Sequence, residues 1–350
     1  MAQQFITGIQ QIGIGVSEAQ QAAQLYKSLF NMNALVFDDT SEASLMIRYT
    51  GGEIYRRRAL LTLNMQGGGG FEIWQFLNRD PQKPKTLPQF GDLGIFACNL
   101  KCDHIQAAHA FLSTKPGVTV GPVQMSIHQQ AQCWLQDGEG NTFLITEYPE
   151  RFNGLAGPLA GVLGAVIGVT DMNAAIRFYQ EILGLTEIVS DVTGHGADTP
   201  DGQSQNCRRV LLQKRPDGRG AFGKLLGSVQ MELVQVLDRI PQKIYSNRFW
   251  GDPGFIHLCF DVLDMDGLKE ACAKAGMAFT VDSQDSFAME NAAGRFCYLE
   301  DPDGTLIELV ETHKVPVFKK FGLYLNLKKR GIEKPLPDWM VKLLGLSKVK

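Results

Sequence analysis

The sequence predicts an α+β fold of four βαβββ units arranged in two tandem halves. Two observations carry this. The run Glu72 to Arg79 recurs as Glu232 to Arg239, and the register then holds without a gap through Pro81-Gln82-Lys83 and Pro241-Gln242-Lys243 to Gly91-Asp92 and Gly251-Asp252. A register kept over that length marks a duplicated module. Within each copy, apolar period-two segments alternate with one segment of helical period.

The first quarter opens with the strand Ile9 to Val16. A helix is predicted from Ser17 as N-cap, with Ala22, Leu25, Tyr26 and Leu29 on one face. Strands follow at Ala34-Leu35-Val36-Phe37 and Ala59 to Leu63, and Gly67 to Gly70 turn into Phe71-Glu72-Ile73-Trp74. The third quarter repeats the order. Val162 to Val169 is the strand, Thr170 is the predicted cap, Phe178, Tyr179 and Leu183 lie on the helix face, and Gly184 is the stop. The second and fourth quarters match each other. Gly94-Ile95-Phe96-Ala97 parallels Gly254-Phe255-Ile256-His257, and Cys133-Trp134 to Gly140 parallels Cys297-Tyr298 to Gly304. Asp301-Pro302-Asp303-Gly304 is a turn sequence, because Pro presets the first bend and Gly accepts a positive φ. The predicted divisions are 1–150, 151–312 and a tail, 313–350, with a linker near Pro149 to Pro158.

The chain has 350 residues, 44% hydrophobic and 20% charged, with a net charge of −3. That is the composition of a globular protein of about two domains, without the basic field of a nucleic-acid binder. The charge is unevenly placed. Residues 313–350 hold ten Lys/Arg and two Asp/Glu, a net +8, which leaves 24 basic against 35 acidic residues, −11, elsewhere. Met1 to Phe5 lacks a basic region followed by an apolar run, and no apolar stretch is long enough to span a bilayer, so a cytoplasmic location without a membrane partner is expected. The seven cysteines form no CxxC pair and read as buried, reduced thiols. The glycines at 67–70 precede no helix, and Gly13-Ile14-Gly15 lacks the spacing of a dinucleotide fingerprint.

Strand, helix and three strands, with His257 early in a unit and Asp301-Pro302-Asp303-Gly304-Thr305-Leu306-Ile307-Glu308 late in it, resembles the glyoxalase/bleomycin-resistance/extradiol-dioxygenase group, the vicinal oxygen chelate superfamily. The resemblance covers about residues 5–312. It implies two glyoxalase-like domains, each of two βαβββ units forming a U-shaped sheet around a pocket. It also implies metal ligands on the first and last strands of each unit. Carried over by position, the quarters offer Gln11 and Glu72, Ala97 and Leu144, Gly164 and Glu232, and His257 and Glu308.

Two pairings are open. Neighbouring units would join Glu232, His257 and Glu308, with Gly164 leaving a coordination place to water or substrate and the first half metal-silent. Crossed units would join Gln11, Glu72, His257 and Glu308. Neighbouring pairing is favoured, because consecutive elements tend to be spatial neighbours. The metal candidates are therefore His257, Glu308, Glu232, Glu72 and Gln11, with Glu308 and Glu232 as catalytic carboxylates. The divalent ion (Zn, Ni, Mn, Co or Fe) is not distinguished.

The implied activity is that of a glyoxalase- or epimerase-like lyase or isomerase. A metal binding the vicinal oxygens of a small molecule would stabilise an enediolate while a carboxylate moves a proton next to the carbonyl. An extradiol or keto-acid dioxygenase is the alternative enzyme, although its facial triad needs two His and Gly164 stands where the first would be. A metal-free binding or resistance protein is the non-enzyme alternative. His104, His109 and His128 read as surface or packing residues, His195 as a loop residue, and His313 as exposed. The tail, with an apolar run that includes Phe321 and Leu327 and a short helix from Pro337 to Leu344, is expected to pack on its own domain or on a partner subunit in a homodimer. A membrane-surface helix and a pocket lid are the other readings.

Overall fold

The structure is a computed structural model that describes residues 5–154, 157–202, 204–284, 287–289, 292–318 and 323–350, with backbone alone at 287–289, 292, 293, 315–318, 323 and 324. Met1 to Gln4, residues 155–156 of the linker and Phe321 of the tail lie outside the described residues.

The elements follow the four-unit order. Unit one is β1 (Ile6–Gly15), α1 (Ala19–Phe30), β2 (Ala34–Glu42), β3 (Arg56–Leu63) and β4 (Gly70–Phe76). Unit two is β5 (Gly94–Cys102), α2 (Ile105–Leu112), β6 (Val118–Val120), β7 (Gln124–Met125), β8 (Ala131–Asp137) and β9 (Thr142–Glu147). Unit three is β10 (Leu159–Gly168), α3 (Met172–Glu181), β11 (Glu187–Gly196), β12 (Gln205–Lys214), a short α4 (Gly223–Leu226) and β13 (Val229–Val236). Unit four is β14 (Gly254–Val262), α5 (Met265–Lys274), β15 (Val281–Asp282), β16 (Phe287–Met289), β17 (Ala292–Glu300) and β18 (Leu306–Phe318).

Two helix starts differ from the sequence reading. Glu18, not Ser17, is the N-cap of α1, and the amide of Ala19 donates to Gln75 Oε1 (2.9 Å) instead of to a cap side chain. Asp171, not Thr170, caps α3, accepting from the amides of Asn173 and Ala174. The carboxylate is the better acceptor for two orphan amides, and the Thr170 hydroxyl is taken by Asp303.

The sheets are built crosswise, which overturns the expected neighbouring pairing. β1 pairs antiparallel with β14, so the first sheet joins units one and four. β10 pairs antiparallel with β5, so the second sheet joins units two and three. The boundary near 150 divides two repeats along the chain, and each sheet takes one unit from each repeat. The physical reason lies in the connectors 77–93 and 237–253, which are long enough to pass from one sheet to the other. They are locked by two equivalent ion pairs. Arg79 reaches Asp252 (Nη1–Oδ1 2.5 Å) and Arg239 reaches Asp92 (Nη1–Oδ1 2.6 Å). The same carboxylates accept from the amides of Gln82 (2.8 Å) and Gln242 (3.0 Å). Each arginine thus binds the other repeat's aspartate. Gly15 and Gly168 let the connectors approach, since a Cβ would stand 2.1 Å from Asp252 O and 2.2 Å from Asp92 O respectively.

The two sheets are also tied to each other within each repeat. Tyr26 on α1 donates to Asp137 Oδ2 (2.9 Å) and Tyr179 on α3 donates to Asp301 Oδ2 (3.1 Å). Both phenols are buried, and burial, followed by the neighbouring carboxylate, pushes them well above the usual tyrosine range. One continuous core runs between the sheets, with Ile12, Phe30 and Phe71 from unit one in the same cluster as Phe143, Phe178 and Phe260. All seven cysteines are free and buried.

The tail begins inside the first sheet. β18 runs on past 312 and pairs with β19 (Leu323–Asn326), followed by α6 (Leu327–Arg330) and α7 (Asp338–Lys342). Leu336 and Val341 are buried with Ala34, Leu63 and Leu225, so the tail bridges units one and three of its own chain. The chain end pairs with unit one through Leu35 N to Ser347 O (2.9 Å) and Val349 N to Asn33 O (3.0 Å).

Crosswise sheets make a clear prediction. A protease site placed at Gly154, which is exposed, and cut after folding is expected to leave the two halves co-eluting at the intact size in gel filtration. Separation of the halves would contradict the topology.

Candidate metal centre

In the first sheet β4, β1, β14 and β18 are consecutive strands. Side chains two apart on a strand share a face, and adjacent strands lie about 4.8 Å apart, so one residue from each can converge. Glu72 comes from β4, Gln11 from β1, His257 from β14 and Glu308 from β18. His257 Nε2 lies 3.2 Å from Glu72 Oε2 and 3.2 Å from Glu308 Oε2. Gln11 Nε2 donates to Glu308 Oε2 at 3.2 Å. All four residues are buried, His257 completely.

The cluster fits a cation. One ligand atom from each of Glu72, His257 and Glu308 lies within 4.8 Å of the others. Gln11 Oε1 is buried without a hydrogen-bond partner. Burial works against a charged His257, yet Glu308 and then Glu72 overcome it and raise the imidazole to about 9. Burial likewise opposes ionisation of Glu308, and His257 nonetheless holds it below the usual carboxylate range. Three protein donors with a fourth close by is the form of an open catalytic metal site.

The ring is held from outside. Tyr298 Oη lies 3.3 Å from His257 Nδ1, and Nδ1–H donates to it when Nε2 faces the carboxylates. Such a partner fixes the tautomer and orientation of a ligating imidazole. Trp250 stacks on the ring with centroids 6.2 Å apart at 21°. Gly13 opposes His257 across the strands, and a Cβ there would sit 2.4–2.7 Å from the ring atoms. The glycine exists so that the imidazole can lie flat on the sheet.

The site opens into a cavity of about 450 Å³. Gln11, Glu72, Glu308 and Tyr298 line its base, and Trp74, Met46, Phe222 and Leu344 are among its walls.

The second sheet carries the equivalent positions with other residues. Ala97 replaces His257, Leu144 replaces Glu308, Val166 replaces Gly13 and Trp134 replaces Tyr298. Ala97, Leu144, Val166 and Trp134 form one buried apolar cluster, so the space of the imidazole is taken by Val166 and its neighbours. Glu232 is retained, but the structure does not bring it to His257. Its Oε1 accepts from Arg209 Nε at 2.6 Å, and Arg209 Nη1 donates to Asp198 Oδ1 at 2.6 Å. His128 Nε2 lies 3.3 Å from Glu232 Oε1. Burial alone would raise the Glu232 carboxyl, and Arg209 and His128 lower it to about 2. Glu232 is therefore the anion of a buried ion network, which corrects its assignment as a ligand or base beside His257. Gly164 leaves no coordination place either, because a Cβ there would meet Gln230 O at 1.5 Å.

The remaining histidines sort similarly. His104 is exposed at the start of α2. His109 is half-buried. His195 lies exposed on β11, not in a loop. His313 is half-buried against Glu311 (2.6 Å). His128, read as a surface or packing residue, is buried in the Glu232 network.

Residues 161–309 match the family model described as the Glyoxalase/Bleomycin resistance protein/Dioxygenase superfamily. This stretch, units three and four, is similar to that superfamily. Two solved structures of its fold class align over most of both chains. A putative dioxygenase from Bacillus subtilis subsp. subtilis str. 168 has a TM-score of 0.57 at 15% identity, covering 88% of this chain and 86% of its own. Glyoxalase I from Zea mays has a TM-score of 0.52 at 14% identity, covering 87% of this chain and 92% of its own. A search of curated protein sequences finds no match. No helix among the described residues is long and apolar enough to cross a membrane.

Residues missed by the sequence reading are Gly13, Tyr298, Trp250 and Arg209. A signal existed for two of them. The repeat sets Gly13 against Val166 and Tyr298 against Trp134, so the copies differ in the residues that support His257 as well as in His257 itself.

Two outcomes are expected. Gly13→Ala forces a methyl into the His257 ring, an overpacking cost of about 1–3 kcal/mol; urea unfolding should show that loss, together with loss of any bound metal. Arg209→Met leaves Glu232 and Asp198 as buried unpaired charges, costing about 3–5 kcal/mol. Adding Glu232→Leu to Arg209→Met should recover part of it, and a neutral single variant would contradict the network.

Proposed function

We propose that this protein is a metal-dependent enzyme of glyoxalase or epimerase type, a lyase or isomerase, which moves a proton next to the carbonyl of a small molecule bearing vicinal oxygens. The observation that carries the reading is the convergence of Glu72 and Glu308 on the same nitrogen of a fully buried imidazole, with Gln11 beside them at the base of a cavity.

Glu72, His257 and Glu308 would hold the ion, with Gln11 Oε1 as the fourth donor. A divalent cation there would supply Lewis acidity to the two oxygens of the substrate. Glu308 is the proposed proton acceptor. The amide of Gln11 orients it, and it lines the cavity. A positioned base of this kind contributes about 10²–10⁴-fold. Tyr298 and Trp250 keep His257 in one orientation, and the apolar walls exclude water from the carbanionic transition state. One histidine and two carboxylates depart from the two-histidine facial triad, which sets the oxygenase reading behind the proton-transfer one.

Elemental mass spectrometry of protein purified without added metal tests the assignment. Near-stoichiometric divalent metal is expected in the wild type and in Glu232→Gln, and its loss is expected in His257→Ala and Glu72→Gln. A wild type that holds no metal even after reconstitution would sink the proton-transfer reading and favour a small-molecule binding protein.

A further inference from the structure

The cavity over the metal centre has a charge pattern that constrains its ligand. Four carboxylates line it, Asp39, Glu42, Glu72 and Glu308, and among the described residues Arg57 is the one cation. Arg57 is not available to a substrate. Its Nη1 donates to Asp39 Oδ2 (2.5 Å) and to Asp39 O (3.0 Å), and its guanidinium lies 5.3 Å over the Trp74 ring. A dication at the cluster would balance Glu72 and Glu308, and Arg57 balances Asp39. Glu42 remains, so the described residues of the walls offer no free cation for a carboxylate or phosphate on the substrate.

What the walls do offer is apolar surface. Phe37, Leu61, Leu63 and Trp74 come from unit one, Phe222, Leu225 and Leu226 from unit three, and Leu344 from the tail. The tail is thus part of the cavity wall, held there by Val341 and Leu336 in a buried cluster with Leu63 and Leu225.

We infer that the cavity takes a substrate with an uncharged apolar substituent, aromatic or alkyl, whose far end is enclosed by the C-terminal segment through Leu344, and that it rejects conjugates carrying free carboxylates. This rests on the proposed metal centre for the orientation of the polar end, but the apolar end is independent of metal. Burying an anion against an acidic wall without a counter-charge is strongly unfavourable.

The test uses the full chain and the uncharged fluorophore 1-aminoanthracene, with 2,3-octanedione and S-hexylglutathione as competitors. Both competitors carry an alkyl chain of similar length, and only the second carries carboxylates. The dione is expected to displace the probe at least about tenfold more effectively, a difference of about 1.4 kcal/mol. Leu344→Glu should weaken probe binding by about tenfold or more. Asp39→Asn, which removes the carboxylate that neutralises Arg57 on the adjacent strand, should improve S-hexylglutathione binding. S-hexylglutathione competing as well as the dione in the wild type would overturn the inference, as would Asp39→Asn leaving its binding unchanged. Leu344→Glu that stays folded by circular dichroism and binds the probe normally would overturn the part played by the tail. Probe binding should persist in chelator, so failure of the metal centre, read by metal content, and failure of the substrate class are seen separately.

Discussion

The exchange of ion pairs between the two connectors is the constraint on which the rest of the molecule depends. Arg79 with Asp252 and Arg239 with Asp92 hold each repeat's connector to the other repeat. The Asp252 side chain is fully buried, so removing its arginine would strand a charge at a cost of about 3–5 kcal/mol. With the connectors locked, unit one must lie beside unit four and unit two beside unit three. Only then does β1 run next to β14, bringing Gln11 and Glu72 to His257 and Glu308.

The two sheets show two ways of satisfying a carboxylate buried at the same position. In the first, Glu72 faces an imidazole, a second carboxylate and an amide with an unpartnered oxygen, the set proposed to hold a cation. In the second, Glu232 is met by a cation that the chain itself supplies, Arg209. Removal of the histidine is matched by a change opposite it: Ala97 and Val166 replace His257 and Gly13, which keeps the volume filled. A duplicated scaffold has in this way one open centre and one that is closed by packing and by a guanidinium.

The tail belongs to the first sheet and to the cavity. Its net charge of +8 against −11 elsewhere is expressed partly through local pairs such as Lys224 with Asp338 (2.9 Å). Its apolar residues do the joining, clamping unit one to unit three over the cavity mouth. The pocket is therefore composite: its base comes from units one and four, one wall from unit three, and its end from the last residues of the chain.

Much of this was legible in the sequence. The βαβββ order followed from periodicity and from the repeat, because local alternation sets which residues can share a face. The candidates Gln11, Glu72, His257 and Glu308 followed from the family resemblance, carried over by position in the unit. What the sequence did not decide was which candidates meet. Glu232 and Glu72 sit at equivalent places in nearly the same words, Glu-Leu-Val-Gln and Glu-Ile-Trp-Gln, and local pattern cannot separate them. Their fates depend on Arg209 at 2.6 Å from one and His257 at 3.2 Å from the other, contacts between residues far apart in the chain or on different strands. Pairing of whole units is a global choice, made by connector length and by ion pairs 173 and 147 residues apart in the chain. The sequence by itself determined the units and the chemistry available in each; tertiary structure decided which unit faces which, and so which carboxylate meets His257 and which meets Arg209.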